Sequence, residues 1–203
     1  MDIIRESVKK IKDILEHGGC GDGGVILDVN PDARNCQFEK GACMTASFGG
    51  RTADFVTFDP IRAHTKISFM YDAPLDTPST RGAASVIVNV ITGFFCLSRV
   101  LHACPESSHA GCLGELKREI DGKKIFCIGS MPELERQFGG MVIQDPAAAD
   151  VILISSEGMI APGTGDLIEH YKGKKQVLCI GSSVAGVSRL HRLEHWCPYG
   201  RSS

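Results

Sequence analysis

Most of the signals that name an activity are missing from this sequence. Its Gly-Ser strand ends carry no Gly-x-Gly-x-x-Gly, and it has no Walker loop, no His-Glu-x-x-His, no Ser-His-Asp order and no paired-carboxylate signature. A standard dinucleotide fingerprint is therefore excluded, and no reaction can be named from motifs. An excess of positive charge is also absent: 22 Lys and Arg stand against 24 Asp and Glu, for a net charge of -2. That leaves no basic footprint for a phosphate backbone, so nucleic acid is not an expected partner. Long apolar runs are lacking too. Gly82 to Leu97 is interrupted by Ser85, Asn89 and Thr92 and falls short of the ~20 residues that span a bilayer. It reads as a buried helix, with no membrane partner. The opening Met-Asp-Ile-Ile-Arg-Glu has neither the basic segment nor the apolar run of a secretory signal. With nine cysteines, an odd number in a mid-sized chain, the expected compartment is a reducing cytoplasm.

What is present suffices for a packed core: 203 residues, 43% of them apolar, make one large domain or two small ones. Ile4, Val8, Ile11 and Leu15 recur at helical spacing before Gly18-Gly19, which predicts an amphipathic first helix. From Val25 to Met70, short β-prone runs alternate with Asn-Pro, Gly-Gly and Asp-Pro turns, the pattern of a small antiparallel meander. Thr77-Pro78-Ser79-Thr80 supplies caps for a helix expected to run to about Val100. A short helix over 113–120 follows.

Beyond Gly122 an internal echo appears, Gly-Lys-Lys-Ile-Phe-Cys-Ile-Gly-Ser130 against Gly-Lys-Lys-Gln-Val-Leu-Cys-Ile-Gly-Ser182. Each reads as a parallel strand buried on both faces. Strands at 141–144 and 151–155 and helices at 132–138 and 165–171 complete an alternating pattern. The predicted fold class is α/β, with a small α+β half over 1–112 and a Rossmann-like parallel sheet over 113–203.

The densest chemistry lies in Cys96-Leu-Ser-Arg-Val-Leu-His102-Ala-Cys104-Pro-Glu-Ser-Ser-His109-Ala-Gly-Cys112. His102 and Cys104 alternate onto one side of an extended exit, and His109 and Cys112 share a face if a helix restarts there. Cysteine clustered with histidine suits zinc, iron or an iron-sulfur cluster. The spacing matches no finger or ferredoxin, however, and a loop of reduced cysteines with surface histidines is the alternative. Cys96 is the member most readily explained as core. Cys20, Cys36 and Cys43 are candidates for a second site or are scattered free thiols. The tail His191 to Cys197 could complete a metal site or be a solvated last helix with a buried tryptophan.

A second candidate site follows from strand order. In the common order 3-2-1-4 the echoing strands would be neighbours at the switch point. Gly129, Ser130, Gly181, Ser182 and Ser183 would then offer amides and hydroxyls to a small anionic ligand, or merely make tight turns. Glu157 ends the third strand, the usual place for a ligand contact. Buried Asn89 is either a clamp to backbone or a ligand contact, and Arg81 is an anion binder or an ordinary surface arginine.

The helix from Thr80, the Gly-Lys-Lys-Ile-Phe-Cys-Ile-Gly-Ser run, Ala-Asp150-Val-Ile-Leu-Ile-Ser and Val-Leu-Cys-Ile-Gly-Ser-Ser-Val resemble, in that order, the heavy-metal chelation family. That prokaryotic family, largely of anaerobes and archaea, joins an enolase N-terminal-like half to a Rossmann-like half. The resemblance covers the chain from about Thr77 onward. It implies binding of a metal or metal-cofactor precursor in the cleft between the halves, in corrinoid or related cofactor synthesis. By position it carries over Arg81 and Asn89 on the helix and Gly129, Ser130, Gly181 and Ser182 at the strand ends; the Cys96 to Cys112 cluster departs from its pattern. The expected function is thus metal binding through Cys96, His102, Cys104, His109 and Cys112, with a small-molecule or metal-cofactor partner and a homodimer through the first half. Two alternatives stand beside it: a Rossmann-type enzyme binding a nucleotide or S-adenosylmethionine with incidental cysteines, and an iron-sulfur electron-transfer or regulatory module.

Overall fold

The computed structural model describes residues 1–18 and 22–202, so Cys20 lies outside the described residues. The first helix, α1 (Ile3–Gly18), buries Ile4, Val8, Ile11 and Leu15 as its spacing predicts. Asp2 Oδ1 accepts from the free amides of Ile4 and Arg5 at 3.1 and 3.3 Å, filling donors that a helix start leaves without internal partners.

Four antiparallel strands follow: β1 (Gly24–Val29), β2 (Ala42–Phe48), β3 (Arg51–Thr57) and β4 (Ala63–Lys66). Their order is β3-β2-β1-β4, so the meander is broken at its last strand, which returns past β2 to pair with β1. Register places Met44 opposite Phe55 and Leu27 opposite Ala46. Alternation then sends Met44, Ala46 and Phe55 toward the core and Cys43, Thr45 and Asp54 to the other face.

The core-facing side is covered by α2 (Pro78–Phe94), whose residues 81 to 93 are all buried. Thr77 and Thr80 form a reciprocal capping box, with Pro78 in the first turn. This helix is apolar all round because it is enclosed, with β2 and β3 on one side and α1 and the second half on the other. Each fully buried Ile or Val contributes about 1.5–3 kcal/mol. The helix ends at Phe94 rather than near Val100. Cys96 takes a left-handed conformation at φ 56°, and the Leu97 and Ser98 amides close back on the Thr92 carbonyl at 2.8 and 3.1 Å, the geometry of a helix stop.

An 11-residue helix, α3 (His109–Glu119), precedes the second sheet. That sheet contains β5 (Ile125–Ile128), β6 (Val151–Ile154), β7 (Gln176–Ile180) and β8 (Glu194–Trp196), all parallel and in sequential order. Helices α4 (Pro132–Phe138), α5 (Ser156–Ile160), α6 (Thr164–Tyr171) and α7 (Ala185–His191) connect them. The α/β class, an antiparallel sheet with helices followed by a parallel one, is as the residue pattern predicts.

The strand order is not. Residues 141–143 lie on the outer side of β5, where Val142 bridges Ile125 and Ile125 donates to the Met141 carbonyl at 2.8 Å. Counted from that segment the order is 2-1-3-4-5, whose reversal falls between β5 and β6. The echoing strands β5 and β7 are therefore not neighbours, because β6 lies between them. The expected last helix is instead the edge strand β8, with Trp196 half-buried. Among the described residues, no helix is long and apolar enough to cross a membrane.

Candidate functional site at the junction of the two sheets

The outer face of β3 and the loop before β2 lie on the carboxyl ends of β6 and β7. Asn89, fully buried on α2, fastens this junction. Its amide donates to the Asp54 carbonyl at 3.2 Å and the Ser183 carbonyl at 2.6 Å, and its oxygen accepts from Gly186 at 2.9 Å. Val56 donates its amide to Ser183 Oγ at 3.0 Å, and Phe58 donates to Glu157 Oε1 at 3.0 Å. Arg81 is buried, paired with Asp2 at 2.7 Å and donating to the Ile160 and Leu75 carbonyls. Asn89, Ser183, Glu157 and Arg81 are thus committed to joining parts of this chain. Those polar groups hold the fold, whatever else they touch.

Glu39 is the residue that sequence reasoning missed. It lies in the segment between β1 and β2, is 6% exposed, and reaches Gly181 at the end of β7. Gly181 has φ 97° and no Cβ; a Cβ there would sit 2.6 Å from the Glu39 carboxyl carbon. The Ser156 and Ser183 hydroxyls face the carboxyl, but neither closes a hydrogen bond to it, and both of its oxygens are buried without a partner. Burial pushes the acid up to about 8; the serines oppose the shift and the Asp54 charge adds to it. A buried acid held neutral is a recurrent feature of functional sites. Nothing in the local sequence Gln-Phe-Glu-Lys marks it, since only the tertiary fold surrounds it.

Beside Glu39, Asp54 holds an imidazole. His102 Nδ1 meets Asp54 Oδ2 at 2.8 Å, while Thr45 Oγ1 donates to Asp54 Oδ1 at 2.7 Å. The carboxylate thereby orients the ring and leaves Nε2 toward Thr52 Oγ1 at 3.3 Å. Antiparallel pairing of Thr45 with Asp54 positions the acid, and a bridge between His102 and Arg201 positions the imidazole.

Thiols form the wall beyond. Cys104 and Cys112 are buried at the ends of the connection between the halves, and Cys197 arrives from the tail just after β8. A charge on Cys104 would raise the pKa of Cys112, and a charge on either would raise that of Cys197. Cys36 stands behind them, where charges on Cys112 and Cys197 would raise its pKa. Burial is the first cause in every case and keeps the thiols protonated; Cys197 is pushed up to about 12. The Trp196 indole N–H faces Cys112 without closing a hydrogen bond. Among the described residues, no three His, Cys, Asp or Glu side chains stand in an array that holds a metal ion.

The five expected ligands therefore separate. Cys104 and Cys112 come together. Cys96 is exposed at the end of α2, His102 belongs to Asp54, and His109 opens α3 with Nε2 buried and unpartnered. Cys43 lies by Thr45 at 4.0 Å rather than in a second site. At the strand ends, Gly129 packs so closely on α5 that a Cβ would lie 2.2 Å from Ser155 Oγ, whereas Ser130 is half-buried beside it. Ser182 and Ser183 are both buried in the turn after β7.

No family model matches the chain, and no curated protein matches it. Among solved structures it is similar to a DUF364 family protein of unknown function from Pyrococcus horikoshii, with 13% identity over 90% of this chain and 80% of that one, at a TM-score of 0.49. A DUF364 family protein of unknown function from Desulfitobacterium hafniense DCB-2 is 12% identical over 91% of this chain and 84% of that one, at a TM-score of 0.44. With scores below 0.5 these likenesses carry no argument about the site.

Proposed function

We propose that the protein binds a soft transition-metal ion, or a small metal-bearing cofactor precursor, as cargo in the junction between its halves. Cys104, Cys112 and Cys197 are the donors. The observation that carries this reading is the convergence of three thiols from two distant segments, near enough that a charge on Cys104 bears on Cys112 and a charge on either bears on Cys197. Thiolate donors fit zinc, iron or an iron-sulfur centre. Because the sulfurs do not yet form a coordinating array, binding requires them to turn inward and to lose protons as the metal arrives.

The test is metal and acid-labile sulfide analysis of protein purified without oxygen. The expected result is near-stoichiometric zinc or iron in the wild type and in Cys96→Ser, and its loss in the double variant Cys104→Ser, Cys112→Ser. Metal-free wild-type protein that stays folded overturns the reading, as does equal metal in the double variant.

A further inference from the structure

The first half contains a pocket of about 180 Å³ that takes no part in the junction. Two periodicities build its walls. Leu27 of β1 pairs with Ala63 of β4, so both side chains stand on one face of the sheet together with Thr65, two residues on. On α2, Thr80, Ala83, Ala84 and Ile87 follow the spacing of one helix face. Ala63, Ala73, Ala83 and Ala84 all line the pocket, whereas further along α2 presents Val and Ile. The missing methylenes leave the space.

Walls of short side chains close up unless something holds them apart, and here the rim is tied at three points. Ser68 donates its amide and its hydroxyl to Asp22 at 2.9 and 2.8 Å. Arg5 donates to the Pro74 carbonyl, and to Asp76 Oδ1 at 2.6 Å. Arg81 donates to the Leu75 carbonyl at 3.3 Å. The turn also explains why Phe69 does not fill the pocket. In the 3-10 turn Ile67–Met70 residues three apart eclipse, so Ile67 and Met70 are both buried while Phe69 stands at the edge, 68% exposed.

We propose that this pocket binds a small uncharged hydrocarbon group, about the size of a benzene ring, presented by a free small molecule. Its volume is close to the roughly 150 Å³ of an apolar cavity that stays dry and takes up benzene. Among the described residues no charged side chain lines it. Both of its hydroxyls are engaged: Thr80 Oγ1 donates to the Thr77 carbonyl at 3.0 Å, and Thr65 Oγ1 to the Lys66 carbonyl at 3.4 Å. A polar occupant would give up water and gain no partner, whereas an apolar one gains by leaving water. A helix, about 10 Å across, cannot enter a space of this volume, which excludes a whole element of a partner protein.

Benzene is the probe. Methyl NMR spectra of the wild-type protein would be recorded as benzene is added up to its solubility limit. Saturable shifts should appear at Ala63, Ala73, Ala83, Ala84 and Met70, and none at Met131 of the second core. The same addition should raise the thermal midpoint, because a ligand that binds only the native state stabilises it. Ala84→Leu, which fills the space, should lose both responses. Should that variant fail to fold, Ala73→Leu fills the same space from a half-buried position on the loop before α2 and should lose them too. Absence of saturable shifts in the wild type overturns the proposal, as do wild-type responses in the filled variants. A dimer that Phe69→Ser dissociates, in protein that does not respond to benzene, would make the occupant a side chain of a second copy and would equally overturn it. The Cys104→Ser, Cys112→Ser double variant should respond to benzene as the wild type does, so failure of the metal reading and failure of this one are separable.

Discussion

Two buried polar side chains span the junction, and they are built in opposite ways. Asn89 is fully buried with its amide hydrogens and its oxygen all partnered across both halves. Glu39 is nearly as buried, with neither oxygen partnered. A satisfied buried amide holds its surroundings in one arrangement, because breaking it strands donors and acceptors on both sides. An unsatisfied buried acid stores the opposite tendency, since its charged form gains by leaving. The junction therefore has a satisfied fastening at Asn89 and an unsatisfied acid at Glu39.

The largest expected effect breaks the fixed side. Asn89→Ala leaves the Asp54 and Ser183 carbonyls and the Gly186 amide without partners, and should cost about 3–5 kcal/mol in chemical denaturation at any pH from 5 to 9. A change below about 1 kcal/mol would remove Asn89 as a fastening.

The Glu39 side should show the pH dependence that Asn89 lacks. The Glu39 pKa is raised from 4.5 to about 8 in the folded protein, so the folded state binds its proton more tightly than the unfolded state does. That stabilising contribution is complete below about pH 4.5 and is lost as pH rises through 8. Relative to wild type, Glu39→Gln should be near neutral at pH 4 and more stable by about 3 kcal/mol at pH 7, at about 1.4 kcal/mol per pH unit. Denaturation midpoints of the two proteins across that range check it; parallel curves would mean that Glu39 is not held neutral.

The smallest effect concerns how closely the two sides meet. Gly181→Ala places a Cβ against the Glu39 carboxyl in a left-handed conformation, and should cost about 1–3 kcal/mol. In a Glu39→Ala background the collision disappears and only the backbone part should remain, so a double-mutant cycle should show coupling. Additive costs would separate Gly181 from Glu39.

Much of the fold could be read from residue pattern. The period-3.6 face of Ile4, Val8, Ile11 and Leu15, the Thr77 capping box and the apolar run of β6 are local signals that the structure reproduces. The end of α2 could not, because Val100 and Leu101 continue the apolar pattern that the chain abandons at Cys96. There Leu101 folds back against Gly93, where a Cβ would lie 2.6 Å from its side chain. The order of the parallel sheet was equally hidden, since the apolar runs of β5 and β7 look like a pair and nothing in them places β6 between.

The site divides in the same way. Asn89 stands out in sequence as an amide within an apolar helix, and the two roles weighed for it differ only in what it touches. Density along the chain put Cys104 and Cys112 together, and they do lie near each other, yet it grouped them with Cys96 and His102, which the structure sends elsewhere. Cys197 and Cys36 reach the same wall from 85 and 76 residues beyond and before Cys112, by the numbering of the chain. No spacing rule connects segments so far apart.

By itself the sequence determined most of the elements, the two-sheet α/β class and the buried character of α2, because helix and strand periodicity, caps and breakers act within a few residues. The order of the second sheet, the separation of the expected ligands and the setting of Glu39 were decided only by tertiary structure. Those features depend on which distant surfaces exclude water from one another, and a residue's charge state follows from that exclusion rather than from its neighbours in the chain.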